Sequence, residues 1–288
     1  MNVVHDAARL GDVPRAVAIG TFDGVHLGHR AVVRAAVDAG LRSTVVTFDP
    51  HPRQVLGRDV ALLASLQRRL ELLADCGVED VLVVPFTAEL AALEPEAFAE
   101  AYLVAIGAKV VVAGSGFRFG RERAGDLALL DRLGIETRTV PLVEGISSTR
   151  IRSLVASGDV EHAAQLLGRP VEVEGEVVGG DQRGAGLGFP TANLALPPHL
   201  LVPANGIYAG AAGDRRAAIS IGVNPHFGGG ERRVEAFLLD WTGDLYGERL
   251  VLQVWRRLRD EQAFASDDEL VAQIARDVEA TRAATPPA

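Results

Sequence analysis

Lysine is almost absent from this chain: Lys109 is the only one in 288 residues, and every other cationic side chain apart from the histidines is arginine. Because Val110 follows Lys109, the phosphate loop GxxxxGK[ST] is missing, and any nucleotide bound here is held by another device. Cysteine is equally scarce. The single Cys76 excludes an internal disulfide framework and any cysteine-rich zinc site. No uninterrupted apolar run approaches the ~20 residues a membrane helix needs. The opening Met1-Asn2-Val3-Val4-His5-Asp6 lacks the basic and apolar regions of a secretory signal. The expectation is a soluble, cytoplasmic protein with no membrane partner. Positive charge is in deficit as well: the formal net charge of −9 disfavours a general nucleic-acid binder. Phosphate contacts, if any, must be local.

What is present is enough for sizeable cores: 48% of residues are hydrophobic and 23% charged, an ordinary globular balance. The length suits two domains at ~150 residues each. Up to residue 145, β-like runs at 16–19, 44–48, 81–85, 110–113 and 137–140 alternate with helical patterns at 30–39, 62–74, 95–106 and 126–133. Such alternation predicts an α/β, doubly wound parallel sheet, Rossmann-like, with ligands at the carboxyl ends of the strands. Residues 147–152 then cap a helix, a second short helix covers 159–167, and Gly168-Arg169-Pro170 breaks the pattern. Beyond it, short runs at 171–178, 206–210, 217–221, 234–241 and 249–257, separated by turn residues, predict a small antiparallel β-barrel. A last helix opens at Ser266-Asp267-Asp268-Glu269, a capping box. The expected domains are residues 1–168 and 169–288.

The stretch around which the first half is organised is Gly20-Thr21-Phe22-Asp23-Gly24-Val25-His26-Leu27-Gly28-His29. It joins a buried strand to a helix, and Gly28 lets the backbone lie against a ligand. With first-turn amides beneath two imidazoles, the segment suits phosphate. A zinc pair or two plain surface histidines are the alternatives, although zinc requires further ligands. Two more loops follow strands: Thr47-Phe48-Asp49-Pro50-His51-Pro52, stiffened by its prolines, and Gly114-Ser115-Gly116-Phe117-Arg118-Phe119-Gly120. Ser147-Ser148-Thr149 before Arg150 and Arg152 offers hydroxyls and guanidiniums to polyphosphate, or is merely a capped helix. In the second half, residues 180–193 carry Gly180, Gly184, Gly186 and Gly188 ahead of Phe189-Pro190-Thr191-Ala192-Asn193. Glycine density alone indicates a hairpin. Oxygens at Thr191 and Asn193 would also suit Mg²⁺ brought in on ATP.

Residues 20–29 resemble the GxFDGxHxGH signature of nucleotidyltransferases, and Ile146-Ser147-Ser148-Thr149-Arg150-Ile151-Arg152 resembles their ISSTxIR motif. Residues 47–52 and 114–120 are similar to the TFDPHP and GxxFRFG of bacterial FAD synthetases, with Gly116 where Asn or Asp is usual. Residues 180–193, 234–240 and 245–247 resemble riboflavin kinases, with Ala185 and His226 standing where Arg and Thr are usual. Both halves together resemble the bifunctional bacterial riboflavin kinase/FMN adenylyltransferase family. The resemblance implies phosphorylation of riboflavin to FMN with MgATP, then adenylylation of FMN to FAD with release of pyrophosphate. An alternative is a riboflavin kinase whose nucleotidyltransferase half is impaired or altered in specificity. It further implies His26, His29 and Arg152 as catalytic groups at one site and Glu235 as the base at the other. ATP would meet Gly20, Thr21, Phe22, Asp23, Gly28, Ser147, Ser148 and Thr149 in the first half. In the second it would meet Gly180, Gly186, Gly188, Pro190, Thr191 and Asn193, with Thr191 and Asn193 on Mg²⁺. Flavin would meet Phe48, Pro50, His51, Phe117 and Arg118. No tightly bound organic cofactor is expected, since flavins are substrate and product. A weak homo-oligomer is left open.

Overall fold

The computed structural model describes every residue except 12, 142, 181–185, 224–231 and 288. The chain forms two compact units, Met1–Val60 with Ser65–Ile146, and Ala61–Ala64 with Ser147–Ala288. The first holds six parallel strands: β1 (Asn2–Val4), β2 (Arg15–Ile19), β3 (Arg42–Asp49), β4 (Asp80–Pro85), β5 (Ala108–Gly114) and β6 (Glu136–Val140), in the order β1-β4-β3-β2-β5-β6. The strand order turns at β2, so its carboxyl end opens on the crevice where such sheets bind ligands. Because side chains alternate across a strand, Val17 and Ile19 face one core with Phe98, Leu103 and Leu130. Ala16 and Ala18 face the other, with Val33, Leu72 and Leu73. Both faces are covered, as the doubly wound expectation requires.

The helices of this unit are α1 (Leu27–Val37), α2 (Pro52–Val55), α3 (Leu66–Ala74), α4 (Ala88–Ala91), α5 (Pro95–Ala99) and α6 (Leu127–Arg132). The helix expected over 62–74 starts only at Leu66, because Ser65 accepts the Arg68 amide and caps it. Leu62 instead pairs with Leu200 in the second unit, where its N–H donates to the His199 carbonyl. The run 95–106 is helical through α5 and then widens into a π-type turn over Glu100–Val104. β1 and α4 were not anticipated, and α2 occupies what reads as a stiff turn.

At the opposite, amino end of the strands, Arg15 is fully buried and pairs with Asp80, which also takes Arg42 Nε at 2.5 Å and Nη2 at 3.1 Å. Burial pushes the Asp80 carboxyl up, but hydrogen bonds from Arg42 and Arg15 outweigh it and hold the group below the ordinary carboxylate value.

The second unit is a closed barrel of β7 (Val171–Val178), β8 (Ala192–Ala195), β9 (Gly206–Ala212), β10 (Arg215–Val223), β11 (Arg232–Leu238) and β12 (Arg249–Arg259). Its order is β10-β11-β8-β7-β12-β9, with every pair antiparallel. α7 (Ser148–Ser157) and α8 (Val160–Leu167) belong to this unit, since Ile151, Val155, Ala163 and Leu167 share one apolar cluster with Val171 and Val254. The compact units therefore meet in sequence at Ile146/Ser147, ahead of the break at 168–170. The closing helix α9 (Asp267–Ala283) is capped by Ser266, and Asp277 receives a forked contact from Arg259 at 2.7–3.1 Å.

Candidate active sites

The first candidate site sits at the carboxyl ends of β2, β3 and β5. His26 is the N-cap of α1: its Nδ1 accepts the His29 amide at 3.2 Å, and its ring stacks on that of His29 at 3.6 Å. The sequence folds this way because Phe22, Gly24 and Val25 all adopt positive φ, turning the chain sharply between strand and helix. Gly28 serves this geometry directly, since a Cβ there would lie 3.2 Å from the His26 ring. Phe22 is buried and meets the edge of His29 at 5.4 Å, so it supports the imidazole from below. Asp23 and His26 are both buried polar groups. The loop thus presents an imidazole pair fixed by packing.

Beneath the loop lies a residue that the motif reading missed. Arg69, 6% exposed, donates to the Thr21 carbonyl at 2.8 Å and to Asp49 at 3.4 Å. Thr47 Oγ1 donates to the same Thr21 carbonyl at 3.1 Å. Burial pulls the guanidinium below its ordinary value, while Asp49 and Asp23 oppose the shift. Its Nε is buried with no hydrogen-bond partner among the described residues. One side chain therefore ties the turn after β2 to the loop after β3. The signal was available: Arg69 lies at helical spacing between Leu66 and Leu73, a cation on the apolar stripe of α3.

The expected flavin residues divide. Phe48 belongs to the core and meets Phe86 at 5.7 Å, the first of a run of ring contacts through Phe98 and Phe119 to Phe117. This aromatic row links the loop after β3 to the loop after β5. His51 is buried and caps α2 by accepting the Arg53 amide at 3.1 Å, whereas Pro50 is exposed. Arg118 is exposed and paired with Asp126 at 2.9 Å. Gly116 is exposed, and a Cβ there would meet nothing within 4 Å.

Ser147 is the N-cap of α7, its Oγ accepting the Arg150 amide at 3.2 Å. Ser148 is half-buried and Thr149 exposed, while Arg152 donates Nε to the Ala61 carbonyl at 2.7 Å. These residues belong to the barrel unit.

The second candidate site is built by strand register. Asn193 on β8 stands directly opposite Glu235 on β11. Just before β8, Thr191 donates Oγ1 to Glu235 Oε2 at 3.1 Å. Arg233, two residues earlier and so on the same face, approaches Glu235 Oε1 at 2.8 Å and Asn193 Oδ1 at 3.2 Å. Gly180 is required beside them, since a Cβ there would fall 2.2 Å from Asn193 Nδ2. Gly188 has φ +87°, a conformation that favours glycine. Pro190 and Gly186 are exposed. The structure thus brings Thr191, Asn193 and Glu235 together with Gly180, and adds Arg233. Gly184, Ala185 and His226 lie outside the described residues. The oxygens of Thr191 and Asn193 beside a carboxylate are hard donors of the kind magnesium takes, so the residues fit that ion. No group of three or more His, Cys, Asp or Glu among the described residues could hold a metal, which leaves the His26–His29 pair without a zinc cluster there.

The sequence model described as FAD synthetase matches residues 11–154, and that described as riboflavin kinase matches residues 167–285. A bifunctional riboflavin kinase/FMN adenylyltransferase of Listeria monocytogenes is 36% identical over 94% of this chain and 93% of that protein. Its namesake in Escherichia coli K12 is 37% identical over 96% of each. A solved Streptococcus pneumoniae chain, described as a macrolide-efflux protein, superposes with a TM-score of 0.88 at 34% identity, covering 98% of this chain and 99% of that one. Among the described residues of the present chain no helix is long and apolar enough to cross a membrane. Two adjoining family matches in this order, with relatives aligned nearly end to end, place the chain in the bifunctional riboflavin kinase/FMN adenylyltransferase family.

Proposed function

We propose that this chain makes FMN from riboflavin and then FAD from FMN, consuming one ATP at each of two separate sites. The observation that carries the first step is the 3.1 Å contact of Thr191 with Glu235 across from Asn193. It places a carboxylate beside two oxygens of the sort that hold a nucleotide-bound cation. Glu235 takes the proton of the ribityl hydroxyl as that oxygen attacks the γ-phosphorus and ADP leaves, general-base work worth about 10²–10⁴ in rate. Thr191 and Asn193 would hold Mg²⁺, which when bound neutralises charge on the phosphates. Gly180, Gly186 and Gly188 let backbone approach the triphosphate.

In the second step an FMN phosphate oxygen attacks the α-phosphorus of ATP, and pyrophosphate leaves. His26 and His29 sit above the start of α1, where imidazole N–H groups and first-turn amides stabilise the charge that builds on the phosphate. Ser147, Thr149 and Arg152 serve the same adenylyl transfer, which assigns residues 1–168 to that activity and 169–288 to the kinase. The aromatic row ending at Phe117 offers the flavin a stacking wall. Both steps work by alignment and electrostatics, without a covalent enzyme intermediate.

Incubation with riboflavin, ATP and Mg²⁺, with FMN and FAD separated over time, tests the reading. Glu235→Ala is expected to stop FMN formation and leave FAD formation from supplied FMN intact. His29→Ala is expected to do the reverse. FMN that accumulates without FAD in the unaltered protein would favour the alternative of a riboflavin kinase whose nucleotidyltransferase half is impaired or altered in specificity, to which the bare Gly116 lends its weight. Normal FMN synthesis by Glu235→Ala would overturn the assignment of the base.

A further inference from the structure

Within the barrel site, one side chain has no part in the chemistry just described. Arg233 lies along β11 with Nε 2.8 Å from Glu235 Oε1 and 3.2 Å from Asn193 Oδ1. The remaining carboxylate oxygen, Oε2, is held by Thr191. One guanidinium thus fills the space between the two strands where the carboxylate and the amide oxygen converge. The four oxygens assigned to the proton and to the nucleotide's cation are all engaged with one another or with it. Arg233 and Glu235 are only about three-quarters buried, with side-chain exposures of 28% and 27%. The arginine head can therefore leave for water while its stem stays on the barrel wall.

We infer that Arg233 is a tethered placeholder cation: it orients Glu235 and Asn193 before the nucleotide binds and is displaced when Mg²⁺ arrives with it. The inference rests on the kinase reading and deepens it. A guanidinium and a divalent ion cannot occupy one seat, because like charges at contact distance repel. Arg233 is therefore a positioning residue that sets how much magnesium nucleotide the site requires. Proton transfer stays with Glu235. Because the guanidinium competes with the metal and not with adenine or ribose, its influence should vanish when the nucleotide carries no metal.

The experiment uses the full chain and MgADP, which binds without turnover. Both tryptophans, Trp241 and Trp255, lie in the barrel unit, so tryptophan fluorescence follows the unfolding of that unit, and a change that depends on Arg233 identifies binding at the kinase site. For Arg233→Gln, and for Arg233→Ser as a second neutral variant, the MgADP concentration giving half the stabilising shift should fall about fivefold, the scale of a partly exposed charge interaction. Arg233→Lys should stay near the unaltered protein. Metal-free ADP should act equally on all four. In the FMN assay the neutral variants should show a lower KM for MgATP, with kcat reduced a fewfold by the loss of orientation. An unchanged or raised MgADP requirement in both neutral variants would overturn the inference, since Arg233 would then be inert or would grip phosphate. So would an equal change with metal-free ADP. If the unaltered protein makes no FMN, the kinase reading itself fails. If it makes FMN while the neutral variants bind MgADP as it does, only the role of Arg233 fails.

Discussion

The two candidate sites hold phosphate chemistry in opposite ways. In the sheet unit the working loop is locked from beneath: His26, Asp23, His51 and Arg69 are all buried, and a single guanidinium ties two loops together. In the barrel unit the working groups project from two paired strands, and Glu235 and Arg233 keep about a quarter of their side-chain surface in water. A loop has no ladder to hold it, so its geometry comes from desolvated polar contacts that are costly to break. A strand pair fixes its residues by register and needs little else. The lesson is that the same replacement carries different penalties in the two halves: in the first, activity and stability fall together, and in the second they separate.

The largest break in that comparison should come from Arg69→Leu. It removes one of two donors to the Thr21 carbonyl and the cation facing Asp49 and Asp23. We expect FAD formation from FMN to fall about 10²-fold as the imidazole loop loses its support, the scale of a misplaced catalytic group. The sheet unit should lose about 2 kcal/mol as Asp49 and Asp23 lose the cation that faces them and the Thr21 carbonyl keeps Thr47 alone. FMN formation from riboflavin should be untouched. Since both tryptophans report the barrel, backbone circular dichroism should show an earlier transition while tryptophan fluorescence does not.

Acid sharpens the same contrast through Asp80. Its carboxyl is held below the ordinary value in the folded unit, so as pH falls the unfolded chain takes up the proton first. The stability it contributes is fully present above the unfolded value of roughly 4 and drains away as pH drops through the folded one. Urea midpoints for the sheet transition should therefore decline below about pH 4 more steeply than those for the barrel. Asp80→Asn should flatten that acid dependence, at the cost of a lower midpoint at neutral pH, because fully buried Arg15 loses its counter-charge.

Much of this was legible from the chain. Alternating apolar runs gave the parallel sheet, turn-punctuated short strands gave the barrel, and the GxFDGxHxGH-like and PTAN-like stretches lie where strands end or pair. Arg69 and Arg233 were not found, for one reason in two forms. Each acts through at least one contact 20–48 residues away in sequence, Arg69 on Thr21 and Asp49, and Arg233 on Asn193 besides its near neighbour Glu235. No local pattern records such a pairing. The start of α3 was missed for a related reason: Leu62 and Leu63 continue its apolar stripe, yet they pack in the other unit. Periodicity says which face is apolar but not which core receives it.

Gly180→Ala probes the barrel side. A Cβ placed 2.2 Å from Asn193 Nδ2 must push that side chain off its position, though the strand pairing of Asn193 with Glu235 survives. The expected outcome is a rise of about tenfold in KM for MgATP, close to 1.4 kcal/mol, with the tryptophan-reported transition unmoved. A matching fall in barrel stability would erase the distinction drawn between the halves.

The smallest effect belongs to Gly116, and it cuts against the idea that every loop position in the sheet unit is locked. This glycine is exposed, has no positive φ, and leaves open space where a Cβ would go. Its backbone does not require glycine, so a side chain costs no strain and slightly reduces the freedom of the unfolded loop, worth about 0.5 kcal/mol. Asn at this position adds an amide at the carboxyl end of β5, beside the aromatic row that Phe117 closes. Gly116→Asn should therefore leave the melting profile level or slightly raised and increase FAD formation a fewfold, the reach of one added neutral hydrogen bond of about 1 kcal/mol. Gly116→Ala, which fills the same space without the amide, should match the stability gain and leave the rate where it was. If Ala raises the rate as much as Asn, then loop stiffness limits adenylyl transfer, and this loop belongs with the locked elements after all.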